Sequence, residues 1–163
     1  LRIRKSFAAA STVVLFTSAL VVATAATSSA SSTITWTQQQ SGQCLAYTDA
    51  LGSIDGPWLK NCAWFGPVRT DWIDQQRSDG TWLEHPGANS NLCMTAYKDH
   101  SVYFETCKMG SDGQLGNDWE RWYEDKEPDG WHLMNKATDL WLDGSNGNVY
   151  ALPFNSGTYQ IWH

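Results

Sequence analysis

The sequence predicts an all-β fold of three four-stranded repeats related by pseudo-threefold symmetry. Three observations carry this reading. Anchor residues recur three times in the same order, short alternating stretches are separated by Gly, Asn and Pro turns, and no convincing helical period interrupts them. The first anchor is Cys44 in QCLAYT, Cys93 in LCMTAY and Trp141 in LWLDGS, spaced 49 and 48 residues apart. The second is Cys62 in LKNC, Cys107 in FETC and Phe154 in ALPF. The third is Trp72 in TDW, Trp119 in NDW and Trp162 in QIW, with Trp122 competing for the middle place.

Each element follows from this frame. TITWTQ (Thr33 to Gln38) opens the first copy as a strand. DGTWLEH (Asp79 to His85) and DGWHLMN (Asp129 to Asn135) open the second and third, each a turn followed by a strand. Each copy accommodates four short strands. DWERWYED has the look of a helical turn, but its alignment with TDWIDQQ predicts a strand. The repeats span approximately residues 33–78, 79–128 and 129–163.

Ahead of the repeats, Arg2, Arg4 and Lys5 precede an apolar run from Phe7 to Ala26. Small residues follow, at Ala23-Thr24-Ala25 and Ser28-Ser29-Ala30. The order of basic, apolar and small residues predicts a secretory signal peptide over 1–30 and an exported, extracellular domain over 31–163. No second long apolar run follows, so no membrane insertion is expected. The 133 residues that remain are enough for one domain with an ordinary core. They carry 17 acidic residues against 8 Lys and Arg, a net charge of −9. Such a surface repels phosphate backbones, which argues against nucleic acid as a partner.

The four cysteines are even in number and all lie in the repeats, which in an exported chain implies two disulfides. If the anchors face each other across a hairpin, the pairs are Cys44–Cys62 and Cys93–Cys107, and Trp141 and Phe154 fill the same space in the third copy. Each closed loop, of 18 and 14 residues, then stabilises the fold by about 3 kcal/mol. No C-x-x-C pair is present and the four histidines are scattered, so neither a zinc site nor a cofactor is expected.

With these motifs in place, the chain resembles the β-trefoil lectin domains of the ricin B-chain type. The resemblance rests on SGQCL, an apolar strand ending in Cys, a following x-x-W and then D-G, and it covers residues 31–163. The third copy is most similar to the actinohivin-type mannose-binding lectins. Their repeat runs L-D, a short Asn/Gly turn, then N-V-Y-x-L-P-x-N-x-x-x-Y-Q-x-W. Here Leu142, Asp143, Asn148, Val149, Tyr150, Leu152, Pro153, Asn155, Tyr159, Gln160 and Trp162 stand in that pattern, with a turn one residue shorter.

The resemblance implies a carbohydrate partner held by Asp143, Tyr150, Asn155, Tyr159 and Gln160, with Leu152 packed beside the sugar. The chemistry suits it. A carboxylate accepts from two neighbouring hydroxyls, Asn and Gln both donate and accept, and a Tyr face covers the apolar side of a pyranose. The other copies lack this set: the Asp143 position holds Ala46 and Thr95, and the Asn155 position holds Ala63 and Lys108. Bland alternatives stand beside each role. Asp143 is also placed for a turn bond to its own backbone, Gln160 for a structural bond, and Tyr150 is matched by Trp58 and Tyr103 as a shared scaffold aromatic.

Catalysis finds little support. Carboxylates group at Asp71/Asp74 and at Glu120/Glu124/Asp125, but acidic surface faces are usual in a chain this negative. Nothing in the sequence pairs two of them across a cleft as glycoside hydrolysis requires. The expectation is a secreted, non-enzymatic carbohydrate-binding protein with one weak site in its third repeat. The alternative from another class is the same scaffold without sugar binding, acting on a protein partner such as a protease.

Overall fold

Alternation sets the inward faces of the strands, and bulky tryptophans occupy them. The computed structural model describes residues 31–63 and 66–163, so the expected signal peptide lies outside the described residues. Twelve strands run in order: β1 (Ser31–Ile34), β2 (Cys44–Ala50), β3 (Ser53–Lys60), β4 (Val68–Arg69), β5 (Trp72–Gln76) and β6 (Trp82–Pro86). Then come β7 (Leu92–Ala96), β8 (Val102–Thr106), β9 (Arg121–Glu127), β10 (Gly130–Asn135), β11 (Trp141–Ser145) and β12 (Asn148–Leu152). A 3₁₀ turn, Thr158–Gln160, precedes the final segment.

The pairing closes on itself. β1 pairs β5, β5 pairs β6, β6 pairs β9 and β9 pairs β10, all antiparallel. Trp131 on β10 then bridges Trp162, and Trp162 bridges Gln38 just beyond β1. Reciprocal bonds of 2.8 Å between the backbones of Thr37 and His163 complete the ring. Six strand positions thus form a barrel without free edges. Three hairpins lie over it: β2/β3, β7/β8 and β11/β12. Trp162 takes the twelfth threefold position as a bridge rather than a strand, and β4 is a small addition paired with β2.

Barrel and hairpins are tied by the same bond three times. The indole N–H of Trp72 donates to Leu45 O at 2.9 Å, that of Trp122 to Met94 O at 2.9 Å, and that of Trp162 to Leu142 O at 3.2 Å. Each acceptor stands one residue past a first anchor, and all three tryptophans are fully buried. Trp122, not Trp119, is therefore the middle anchor. Trp119 is only half-buried and stacks on Tyr97 with ring centroids 4.8 Å apart. The corrected register places Thr70 and Glu120 at the Gln160 position, and Arg69 and Trp119 at the Tyr159 position.

The cysteines join as Cys44–Cys62 and Cys93–Cys107, with Cα atoms 5.0 and 5.1 Å apart. In the third copy Trp141 and Phe154 pack against each other with centroids 5.1 Å apart. The core draws on all three copies: Trp36, Leu45, Leu59, Trp72, Met94, Trp122, Leu133, Leu142 and Trp162.

One part of the interior is acidic, where the sequence predicts acidic surface. Asp74 and Glu84 are register partners on β5 and β6, and both are buried; Glu124 on β9 is half-buried beside them. Glu120 is buried as well, by its bonds to backbone N–H groups. Burial raises Asp74 to about 6, and burial, ahead of the neighbouring charge, raises Glu124 to about 7 and lifts Glu84 well above the ordinary Glu value.

Two predictions follow from the core. Trp122→Ala should cost about 3–5 kcal/mol in denaturant unfolding, and Trp119→Ala less than half as much. Because the folded state holds protons that the unfolded chain releases, the acidic cluster stabilises fully below about pH 4 and loses that contribution as pH rises. The loss runs through the folded values of about 6 and about 7. His85, whose pKa burial lowers, acts in the opposite sense near the same window. Glu84→Gln retains His85, so in divalent-free buffer its unfolding midpoint should fall less between pH 5 and pH 8 than the wild-type midpoint falls.

Candidate functional site

The third hairpin carries the candidate site, and its tight turn begins the construction. Asn146 and Gly147 join β11 to β12 with φ of 52° and 83°. This is the doubly left-handed two-residue turn that suits the twist of paired strands. It brings Asp143 opposite Tyr150 in register. Gly144 has no room for a side chain, since a Cβ there would lie 2.8 Å from both Asn148 O and Leu59 Cδ1. The Asp-Gly pair thus sits inside a strand at a close approach, not in the turn.

An open groove of about 760 Å³ runs along this hairpin. Five of the six expected site residues line it: Asp143, Tyr150, Leu152, Asn155 and Tyr159. Asp143 forms the floor, only 2 % exposed, with Oδ1 accepting the Gly144 N–H at 2.6 Å. Burial raises its pKa, opposed by that N–H and by the side chains of Gln160 and Asn155. Tyr150 shares a 2.8 Å hydrogen bond with Ser145, which steadies its ring on the wall. Leu152 is half-buried, while Asn155 and Tyr159 stand exposed at the rim.

Gln160 lies behind the groove rather than in its wall. Its Oε1 accepts the Asn155 N–H at 3.1 Å and its Nε2 donates to Pro153 O at 3.1 Å, and the residue is fully buried. Glu120 does the same work in the second copy, accepting the Lys108 N–H at 3.0 and 3.2 Å. Lys108 is the counterpart of Asn155, so this position carries a bond that holds the loop after the second anchor. Gln160 shapes the site from beneath.

The opposite wall comes from the first copy. Gln38, Gln40, Ser41 and Gln43 line the groove, as do Ser145, Asn146 and Gly147 from the hairpin. Gln38 is fully buried and donates through Nε2 to Gly144 O at 2.9 Å and to Tyr159 O at 2.8 Å, clamping the hairpin to the 3₁₀ turn. Gln40 accepts from the Thr158 hydroxyl. The sequence signal for this wall is the unbroken polar run QQQSGQ between Trp36 and Cys44.

The second copy has a different surface at the equivalent positions. Thr95 replaces the floor carboxylate, and Glu105 and Lys108, at the Leu152 and Asn155 positions, form an ion pair with each other. A second groove of about 560 Å³ lies beside Trp141, Phe154 and His132, rimmed by Asp125, Glu127 and Asp129. Its wall includes the aromatic pair that stands where the other copies have disulfides.

No protein-family model matches the chain, and no curated protein matches it. Solved structures do. The chain is similar to Cry35Ab1, with a TM-score of 0.68 and 12 % identity over 80 % of this chain and 34 % of that one. It therefore spans about a third of the length of that protein. It is similar to SeviL, solved bound to asialo-GM1 saccharide, with a TM-score of 0.57 and 14 % identity over 80 % of this chain and 93 % of that one. It is also similar to ThreeFoil, a designed threefold-symmetric protein, with a TM-score of 0.61 and 18 % identity over 80 % of this chain and 95 % of that one. The closed barrel, its three hairpins and these likenesses together make the fold a β-trefoil.

Proposed function

We propose that this protein is a secreted, non-enzymatic lectin that binds carbohydrate in the groove of its third repeat. One observation carries the reading. A buried carboxylate, Asp143, forms the floor of an open groove whose walls are uncharged amides, hydroxyls and two tyrosines. Such a site offers one strong acceptor for a pair of sugar hydroxyls, amides to orient the ring, and aromatic area for its apolar face. The lone carboxylate in that wall suits binding without hydrolysis, which needs a second one across the bond.

Support comes also from a protein of the same fold, SeviL, solved with a saccharide bound. The resemblance of the third repeat to actinohivin-type lectins makes mannose-type glycans the first ligands to test. The two disulfides and the leader-like first 30 residues support an extracellular setting. In the second copy Glu105 and Lys108 pair with each other at the equivalent positions, and one shallow site of the kind in the third copy binds weakly.

The test is a glycan array with the oxidised protein beside Asp143→Asn, a substitution that preserves the side-chain shape. Wild type should bind a defined glycan set, and the variant should lose at least about tenfold in affinity, roughly 1.4 kcal/mol. Silence from wild type at millimolar sensitivity, or equal binding by both, overturns the reading. Since ionised Asp143 is the acceptor and its pKa is raised, binding should weaken in acid before an ordinary Asp would protonate.

Gln160→Ala separates the support from the contact. It leaves the Asn155 N–H without its partner and should cost about 1–3 kcal/mol in thermal or denaturant unfolding. Glycan affinity should fall with it, while the preference among glycans stays unchanged.

A further inference from the structure

The carboxylates of Asp74, Glu84 and Glu124 converge on a point in the barrel that the sugar groove does not use. Asp74 lies two residues past Trp72 on β5, and Glu124 two past Trp122 on β9, so each shares the inward face of its tryptophan. Glu84 faces Asp74 across the β5/β6 pair. Trp72 and Trp122 bond to the hairpins, so the carboxylates lie at the barrel end remote from them.

One oxygen from each of the three residues lies within 4.8 Å of the other two. A single cation reaches all three at calcium–oxygen distances of about 2.3–2.6 Å after shifts of a few tenths of an ångström. Groups outside the cluster leave these oxygens unused. Asp74 Oδ1, Glu84 Oε1 and Glu124 Oε1 are buried without a hydrogen-bond partner, in residues that are 4 % and 0 % exposed for Asp74 and Glu84. None of the ion pairs among the described residues includes any of the three. Trp36 Nε1 donates to Glu84 Oε2 at 3.2 Å, which fixes that carboxyl and leaves its second oxygen aimed at the cluster.

We propose that Asp74, Glu84 and Glu124 form a calcium site inside the barrel. An all-oxygen set of three carboxylates is the donor chemistry of a hard divalent cation, not of zinc or copper. Calcium tolerates an irregular shell completed by water, which enters past half-exposed Glu124, whereas magnesium demands a near-ideal octahedron. A dication also removes most of a buried charge that otherwise must be carried by protons. Bound there, it cross-links β5, β6 and β9, and its role is structural. The site is independent of the sugar groove.

The test uses the oxidised protein stripped with a chelator and titrated with CaCl2 at pH 7.5. The unfolding temperature should rise by about 4–8 °C once free calcium reaches ten times Kd. Glu84→Gln, which keeps an acceptor for Trp36 and removes one charge, should fold and should lose most of that rise. Terbium placed in the same site lies close to the Trp36 indole, so indole-sensitised luminescence should appear in wild type, be displaced by CaCl2 and fall in Glu84→Gln. An unfolding temperature that stays constant up to about 10 mM calcium overturns the proposal and leaves the carboxyls sharing protons. An equal rise in wild type and Glu84→Gln also overturns it, by placing the calcium on the acidic surface.

Discussion

Three indole N–H bonds, from Trp72, Trp122 and Trp162 to Leu45, Met94 and Leu142, connect the barrel to its hairpins. A buried indole N–H is costly without an acceptor, and a buried hairpin carbonyl without a donor. Each tryptophan resolves both at once, and its ring fills the space between the layers. Only residues that break this geometry are forbidden in a copy. Everything outside it is free to diverge, which is how one copy keeps a carboxylate at its Asp143 position while another holds a threonine.

The anchors between the hairpin arms show the same freedom. Two copies use a disulfide and the third an aromatic pair. A disulfide holds a hairpin by limiting the unfolded chain, whereas Trp141 and Phe154 act by burying surface in the folded one. Phe154 is 55 % exposed, so the replacement is incomplete. That incompleteness opens the second groove and leaves His132 packed edge-on against both rings.

Much of this was legible in the chain because anchors of unusual chemistry mark the frame. Cysteines and tryptophans are rare and conspicuous, so the threefold plan and the disulfide partners follow from their spacing. The middle register slipped because DWERW offers two tryptophans three residues apart, and only burial distinguishes them. With Trp122 as anchor, Gln160 corresponds to Glu120, and the shared bond to a loop N–H reads as scaffold. The polar run from Gln38 to Gln43 is visible in the sequence, but nothing local in it tells which distant segment it faces. The inward carboxylates were masked by the chain's acidity, although Trp72 and Asp74 already alternate onto one face.

Gln38 reaches across 106 residues to Gly144 and 121 residues to Tyr159, so the groove joins the first copy to the last. Contacts so far apart along the chain form late, after the local hairpins have closed. On the ribosome the first copy emerges with its half of the groove already encoded and waits for residues Asp143 to Tyr159 to supply the other. A nascent or truncated chain can therefore acquire two disulfide-bonded hairpins and still present no groove.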